Sequence, residues 1–114
     1  MEHDPNKNEY INVEDALRRI GGSMDLYKRL LGRFIEGNNI EELEIALQRN
    51  DMEESARLTH TLKGVSANLS LTGIRSASID LEQAIRDGSD YSALFADLKQ
   101  VYSTTVELIT EMTK

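Results

Sequence analysis

The sequence predicts an all-α protein: an up-and-down antiparallel four-helix bundle preceded by a short leading N-terminal helix. Three observations carry this. From Tyr10 onward the apolar residues recur at helical spacing, and no stretch alternates as a half-buried strand would. The single proline is Pro5, so no proline interrupts a helix after it. The chain has 114 residues, 39% of them hydrophobic, which suits one domain with one small core. Short connections between long helices then make neighbours run antiparallel.

Taken in order, residues 1–9, "MEHDPNKNE", hold the proline and almost nothing apolar. They read as a disordered tail or linker remnant, with the bundle occupying 10–114. His3 lies in that tail. Asn12 and Asp15 have the spacing of a helix cap and its third residue, and they open a short helix that turns Ala16, Leu17 and Ile20 inward. Gly21-Gly22 stops it, and Ser23 is placed to cap the next. There Leu26, Tyr27, Leu30, Leu31, Phe34 and Ile35 form a wide buried stripe. Gly37-Asn38-Asn39 interrupts before Ile40, Leu43, Ala46 and Leu47 resume it, and one long element with a weak point is expected. A helix from about Asp51 to Leu69 follows. The next buries Ile74, Ala77, Leu81, Ala84 and Ile85 and ends at Asp87-Gly88. The last carries Leu94, Leu98, Val101, Thr105, Leu108 and Met112 at steps of a bundle seam.

Composition removes several classes of function. Thirteen basic residues against twenty acidic ones give a net charge of −7, which repels nucleic acid and anionic membranes. There is no cysteine, so disulfides and thiolate zinc sites are excluded. No apolar run approaches a membrane span and no signal-peptide core follows Met1, so a soluble, cytoplasmic chain without membrane insertion is expected. With no second uncommitted apolar face, the expectation is a monomer. His3 and His60 are too far apart in sequence to suggest a metal cluster, and no serine or cysteine arrangement suggests a triad. Glu41, Glu42, Glu44, Asp51, Glu53 and Glu54 read as solvated faces and lack the spacing of a calcium loop. No glycine-rich phosphate loop marks an ATP site.

One stretch does not fit an ordinary bundle: "LTHTLKGVSANLSL", from Leu58 to Leu71. Leu58, Leu62, Val65 and Leu69 make its expected core seam. At about 100° per residue, His60 points roughly 200° from Leu58, close to the opposite side. Lys63, Gly64 and Ala67 continue that outward face. An exposed imidazole titrates near neutrality and keeps a free nitrogen, which can attack an activated phosphoryl group and hold it. Lys63 would offset the charge of the phosphoryl oxygens. Gly64 costs an exposed helix ~1 kcal/mol relative to alanine, and its bare backbone lets a partner close over the imidazole. Ala67 keeps the following turn low. The plainer reading is a surface histidine beside a solvated lysine, with a glycine placed for helix packing.

"HTLKGVSANL" resembles the signature of histidine-containing phosphotransfer (HPt) domains: a histidine, any residue, an apolar residue, lysine and glycine. His60, Leu62, Lys63 and Gly64 match it position by position. "INVEDALRRIGGSMDLYKRLLGRFI" is similar to the short helix, double-glycine corner and second helix that open these domains. "RNDMEESARLTHTLKG" and "SIDLEQAI" resemble the approach to the histidine and the helix after it, so the likeness runs from Tyr10 to the end. It implies a phosphorelay carrier in two-component signalling, which accepts a phosphoryl group from one receiver-domain aspartate onto His60 and passes it to another. The implied partners are receiver domains of response regulators or hybrid sensor kinases. No cofactor of its own is implied, and any magnesium would sit on the receiver's carboxylates. Ser70 departs from the pattern, because the family usually has a small residue there, most often glycine; Gly73 is expected to serve the turn instead. The helix after the corner often offers the imidazole a polar side chain, and Glu82 or Gln83 is placed to do so, although a solvated surface role is the commoner fate of such residues. The rival from another class is a helical interaction module that docks a signalling partner without phosphotransfer.

Overall fold

The computed structural model describes residues 9–37 and 40–114. Six helices follow one another: α1 (Val13–Arg19), α2 (Met24–Gly37), α3 (Ile40–Gln48), α4 (Met52–Asn68), α5 (Thr72–Asp87) and α6 (Ser92–Met112). Asn38 and Asn39, at the expected weak point, lie outside the described residues, as does the expected tail except Glu9; helix runs up to Gly37 and resumes at Ile40. α4 packs most extensively on α5, and also on α3. α6 lies between α5 and α2, and α1 packs on α2.

The predicted stop and start signals act as chemistry requires. Asn12 Oδ1 accepts from Asp15 N at 3.0 Å, capping α1. Gly21 and Gly22 both take positive φ, 86° and 89°, where only glycine is unstrained. Ser23 Oγ accepts from Leu26 N at 3.1 Å and starts α2. Asp51 Oδ1 accepts from Glu54 N and starts α4. The core is made by Tyr27, Leu31 and Phe34 of α2, Leu43 and Leu47 of α3, Leu62 of α4, Ile74, Leu81 and Ile85 of α5, and Leu98 and Ile109 of α6. Ile109 was not in the expected seam, while Leu94, Val101, Leu108 and Met112 are only half-buried.

α4 corrects the expected seam. Its buried residues are Ser55, Thr59, Leu62 and Ser66, while Leu58 and Val65 are half-buried at the core's margin. The reason is packing: α4 is covered by both α5 and α3, and small buried residues let helices approach closely. Their hydroxyls stay satisfied by their own helix, Thr59 Oγ1 donating to Ser55 O at 2.6 Å and Ser66 Oγ to Lys63 O at 3.0 Å. His60 is therefore about 100° from the buried Thr59, and faces the α4–α5 edge rather than the far side of the bundle.

The corner between α4 and α5 corrects a second expectation. Ser70 itself takes the left-handed conformation, with φ 55°, so the turn is not shifted to Gly73. That backbone region is the one glycine enters freely, and a serine there is strained. Two bonds hold it: Ser70 Oγ donates to Asp15 Oδ2 at 2.7 Å, and Ser70 O accepts from Asn12 N at 2.9 Å. Tyr27 adds a third tie from α2, its buried hydroxyl donating to Leu69 O at 2.7 Å. Gly73 serves close packing in the first turn of α5: a Cβ there would lie 3.0 Å from Val101 Cγ1 and 3.1 Å from Glu9 O. Glu9 also accepts from Thr72 Oγ1, so the end of the expected tail lies against α5.

Candidate functional site

The corner and the small buried face of α4 fix where His60 stands. Its side chain is 64% exposed, at the edge shared with α5. There Nδ1 meets Glu82 Oε2 at 2.9 Å. Glu82 is not the solvated residue expected; its side chain is 5% exposed. It also accepts from Lys63 Nζ at 2.6 Å on Oε1 and from Arg86 Nη2 at 3.1 Å on Oε2. Three donors thus converge on one carboxylate. Gln83, the other candidate, points elsewhere and donates to Asp87.

Burial alone would push the Glu82 carboxyl up; the bonds from Lys63 and His60, with the charges of Lys63 and Arg86, outweigh it and leave the group below its ordinary range. Glu82 is therefore a carboxylate at neutral pH and can only accept. It follows that Nδ1 of His60 carries the ring proton and Nε2 keeps the lone pair. Among the described residues nothing bonds to Nε2. A ring nitrogen with a free lone pair, facing solvent and oriented through its other nitrogen, is a nucleophile ready for use.

The rest of the face is bare. A Cβ placed on Gly64 would meet nothing within 4 Å, so no contact among the described residues requires that glycine. The packing explanation for it is thereby removed. Ala67 is half-buried one turn from Gly64, and adds only a methyl group to the surface. On the flank beyond Gly64, Ile20, Leu30, Phe34, Val65 and Leu69 line an apolar groove of about 360 Å³, with Arg33 and Asn68. Among the described residues no three of His, Cys, Asp and Glu stand together in a way that could hold a metal. No described helix is long and apolar enough to cross a membrane.

The sequence family described as the Hpt domain matches residues 29–111, from within α2 almost to the end of α6. The chain belongs to the Hpt domain family. Hpt domains are histidine phosphotransfer carriers rather than classical enzymes, and they work with receiver domains in two-component phosphorelays. No curated protein and no solved structure matches the chain. α1 and the start of α2 precede the matched Hpt residues, although α1 is tied to the α4–α5 corner through Asn12 and Asp15.

The structure brings His60 and Lys63 onto one carboxylate, and it leaves Gly64 open beside them. Sequence reasoning passed over Arg86 and undervalued Glu82. A signal was present: Ile74, Ser78, Leu81, Glu82 and Ile85 follow one buried face of α5 at helical spacing. A charged residue on such a face needs partners, and the only elements able to supply them are neighbouring side chains.

Proposed function

We propose that this Hpt domain is a phosphorelay carrier whose His60 accepts a phosphoryl group from one receiver aspartate and gives it to another. The observation that carries this reading is the imidazole bound through Nδ1 to buried Glu82, with Nε2 unengaged on an open face. Nε2 attacks phosphorus as the bond to the aspartyl oxygen breaks, and the reverse step charges the second receiver. Lys63, and with it Arg86, supplies positive charge for the phosphoryl oxygens. The domain contributes the nucleophile and its setting, while the receiver contributes the remaining machinery.

Docking uses the surface around Gly64 and Ala67, where a receiver can bring its aspartate to Nε2 without displacing a side chain. The apolar groove on that flank, from Ile20 to Leu69, extends the same surface and gives the receiver an apolar area to cover. The scaffold reads as the expected up-and-down four-helix bundle, α2 and α3 together forming one stave, over residues 10–114. The protein acts as a soluble monomer of the cytoplasm.

The test is a two-step transfer. The protein is charged by one phosphorylated receiver, separated from it, and offered a second receiver. Loss of the group to the second receiver, with no charging of His60→Gln, is the expected outcome. A receiver that binds but never transfers would make the domain a docking module.

A further inference from the structure

Two residues that the sequence assigns to the seam of α6, Leu94 and Val101, are only half-buried in the fold. With Ala77 of α5 and Tyr10 of the N-terminal segment, also half-buried, they floor a groove of about 330 Å³ between α5 and α6. The N-terminal segment closes the groove at the start of α5. There Gly73 N donates to Tyr10 O at 3.3 Å, and Thr72 Oγ1 donates to Glu9 O at 3.3 Å. Glu9 and Tyr10 precede the residues that the Hpt family matches, so part of this wall lies outside the family pattern.

The rim of this apolar floor is acidic on each side: Asp80 stands on α5, Asp97 on α6 and Glu9 on the N-terminal segment. Among the described residues no lysine, arginine or histidine lines the groove. Glu54 and Glu44 are paired on the surface with Arg57 and Lys99, whereas Asp80 and Asp97 have no ion pair or hydrogen bond among the described residues. A cation brought between them gains from several carboxylates at once and displaces no cation of this chain. The floor gains in turn from apolar cover. Apolar side chains flanked by lysine or arginine meet both demands, and a helix with one apolar and one basic face carries them at the required spacing.

We propose that the α5–α6 groove is a second docking surface, which takes a basic amphipathic helix of another protein. Its apolar face covers Ala77, Leu94 and Val101, and its cations meet Asp80, Asp97 and Glu9. Position gives the surface its use. Asp80 precedes Glu82 by two residues, about 200° around α5, so the groove lies on the flank of that helix away from His60. A helix seated there leaves the imidazole edge open. One partner can then hold the domain while others reach His60. A contact of this size is weak and sensitive to salt, which suits a partner that stays tethered nearby.

The test uses the whole chain, with a synthetic amphipathic helix of leucine and lysine as the probe. Nitrogen-15 NMR of the backbone amides locates the binding, and titration gives its Kd. Shifts should centre on Tyr10, Ala77, Leu94 and Val101, and Kd should rise as salt is added. Asp80→Lys combined with Asp97→Lys should weaken binding about tenfold. Glu107→Lys combined with Glu111→Lys changes the net charge equally and should leave binding nearly unchanged. All four residues are exposed, so both variants keep the fold. Equal weakening by the two variants would reduce the attraction to net charge and overturn the proposal. Shifts centred on the groove from Ile20 to Leu69, or probe that blocks transfer from a receiver to His60, would also overturn it. So would a dimer of the free protein joined through the α5–α6 groove, because the occupant would then be a second copy. The phosphotransfer reading is tested separately: a protein that binds the probe as described yet never loads from a receiver loses that reading and keeps this one.

Discussion

Gly64 and Gly73 are both glycines within helices, where glycine is intrinsically less favourable than alanine, by ~1 kcal/mol in a helix interior such as Gly64's. At Gly73 the chain itself explains the choice, since a Cβ would press on Val101 Cγ1, Glu9 O and Tyr10 Cα. At Gly64 the described residues offer no explanation, because a Cβ would meet none of them within 4 Å. A costly residue with no contact to explain it, one turn from His60, supports the docking surface proposed there. That difference separates a glycine required by packing from one that packing does not require.

The comparison can be broken at either glycine. The larger effect belongs to Gly73→Ala. Backbone atoms of residues 9 and 10 cannot step aside as a flexible side chain could, so overpacking should cost about 1–3 kcal/mol in urea or thermal unfolding. A Gly73→Ala protein as stable as wild type would mean that the N-terminal segment is not held against α5. Gly64→Ala should move the other way, raising stability by about 0.5–1 kcal/mol by thermal unfolding, while slowing phosphoryl transfer from a receiver. Faster melting, or unchanged transfer, would remove the argument for a docking surface there.

Ser70 sharpens the same contrast, because it occupies a glycine conformation without being glycine. Ser70→Gly relieves the left-handed backbone, worth roughly 1–2 kcal/mol, and gives up the bond to Asp15. Ser70→Ala gives up the bond and keeps the strain, so it should be the less stable of the two in chemical denaturation. The bond has a pH signature as well. Ser70 first, and Arg19 after it, hold the Asp15 carboxyl below its usual range. A depressed carboxyl contributes stability above its unfolded pKa and loses it as pH falls through the folded value. The gap between Ser70→Ala and wild type should therefore narrow in acid. Glu82, also depressed, should make wild type lose stability over the same acidic range more steeply than Glu82→Gln, as followed by unfolding at successive pH values.

Much of this was legible in the residues. Helix boundaries followed from caps and glycines: Asn12, Gly21-Gly22, Ser23 and Gly88 act where their chemistry places them. His60, Lys63 and Gly64 stood out because an outward face had no need of them. What period alone could not give was the direction of burial on α4. Leu58 and Val65 are larger and more apolar than Ser55 and Ser66, yet the small residues are the ones that are buried. Rotating the helix by that amount brings His60 to the α5 edge and makes Glu82 its partner. Likewise the glycine usual in the family at the position of Ser70 was a cue to a left-handed backbone, but the bond that holds a serine there comes from Asp15, far away in sequence. Contacts between elements decide such details, and a single helix does not contain them.

The central claim is that His60 Nε2 takes the phosphoryl group. The most direct measurement is to incubate the protein with a phosphorylated receiver, digest it under alkaline conditions, and locate the label by mass spectrometry. The account predicts an acid-labile, base-stable phosphoryl group on the peptide containing His60, bonded through Nε2. Label that survives in His60→Gln, or that is found on a serine, threonine or aspartate, would contradict it.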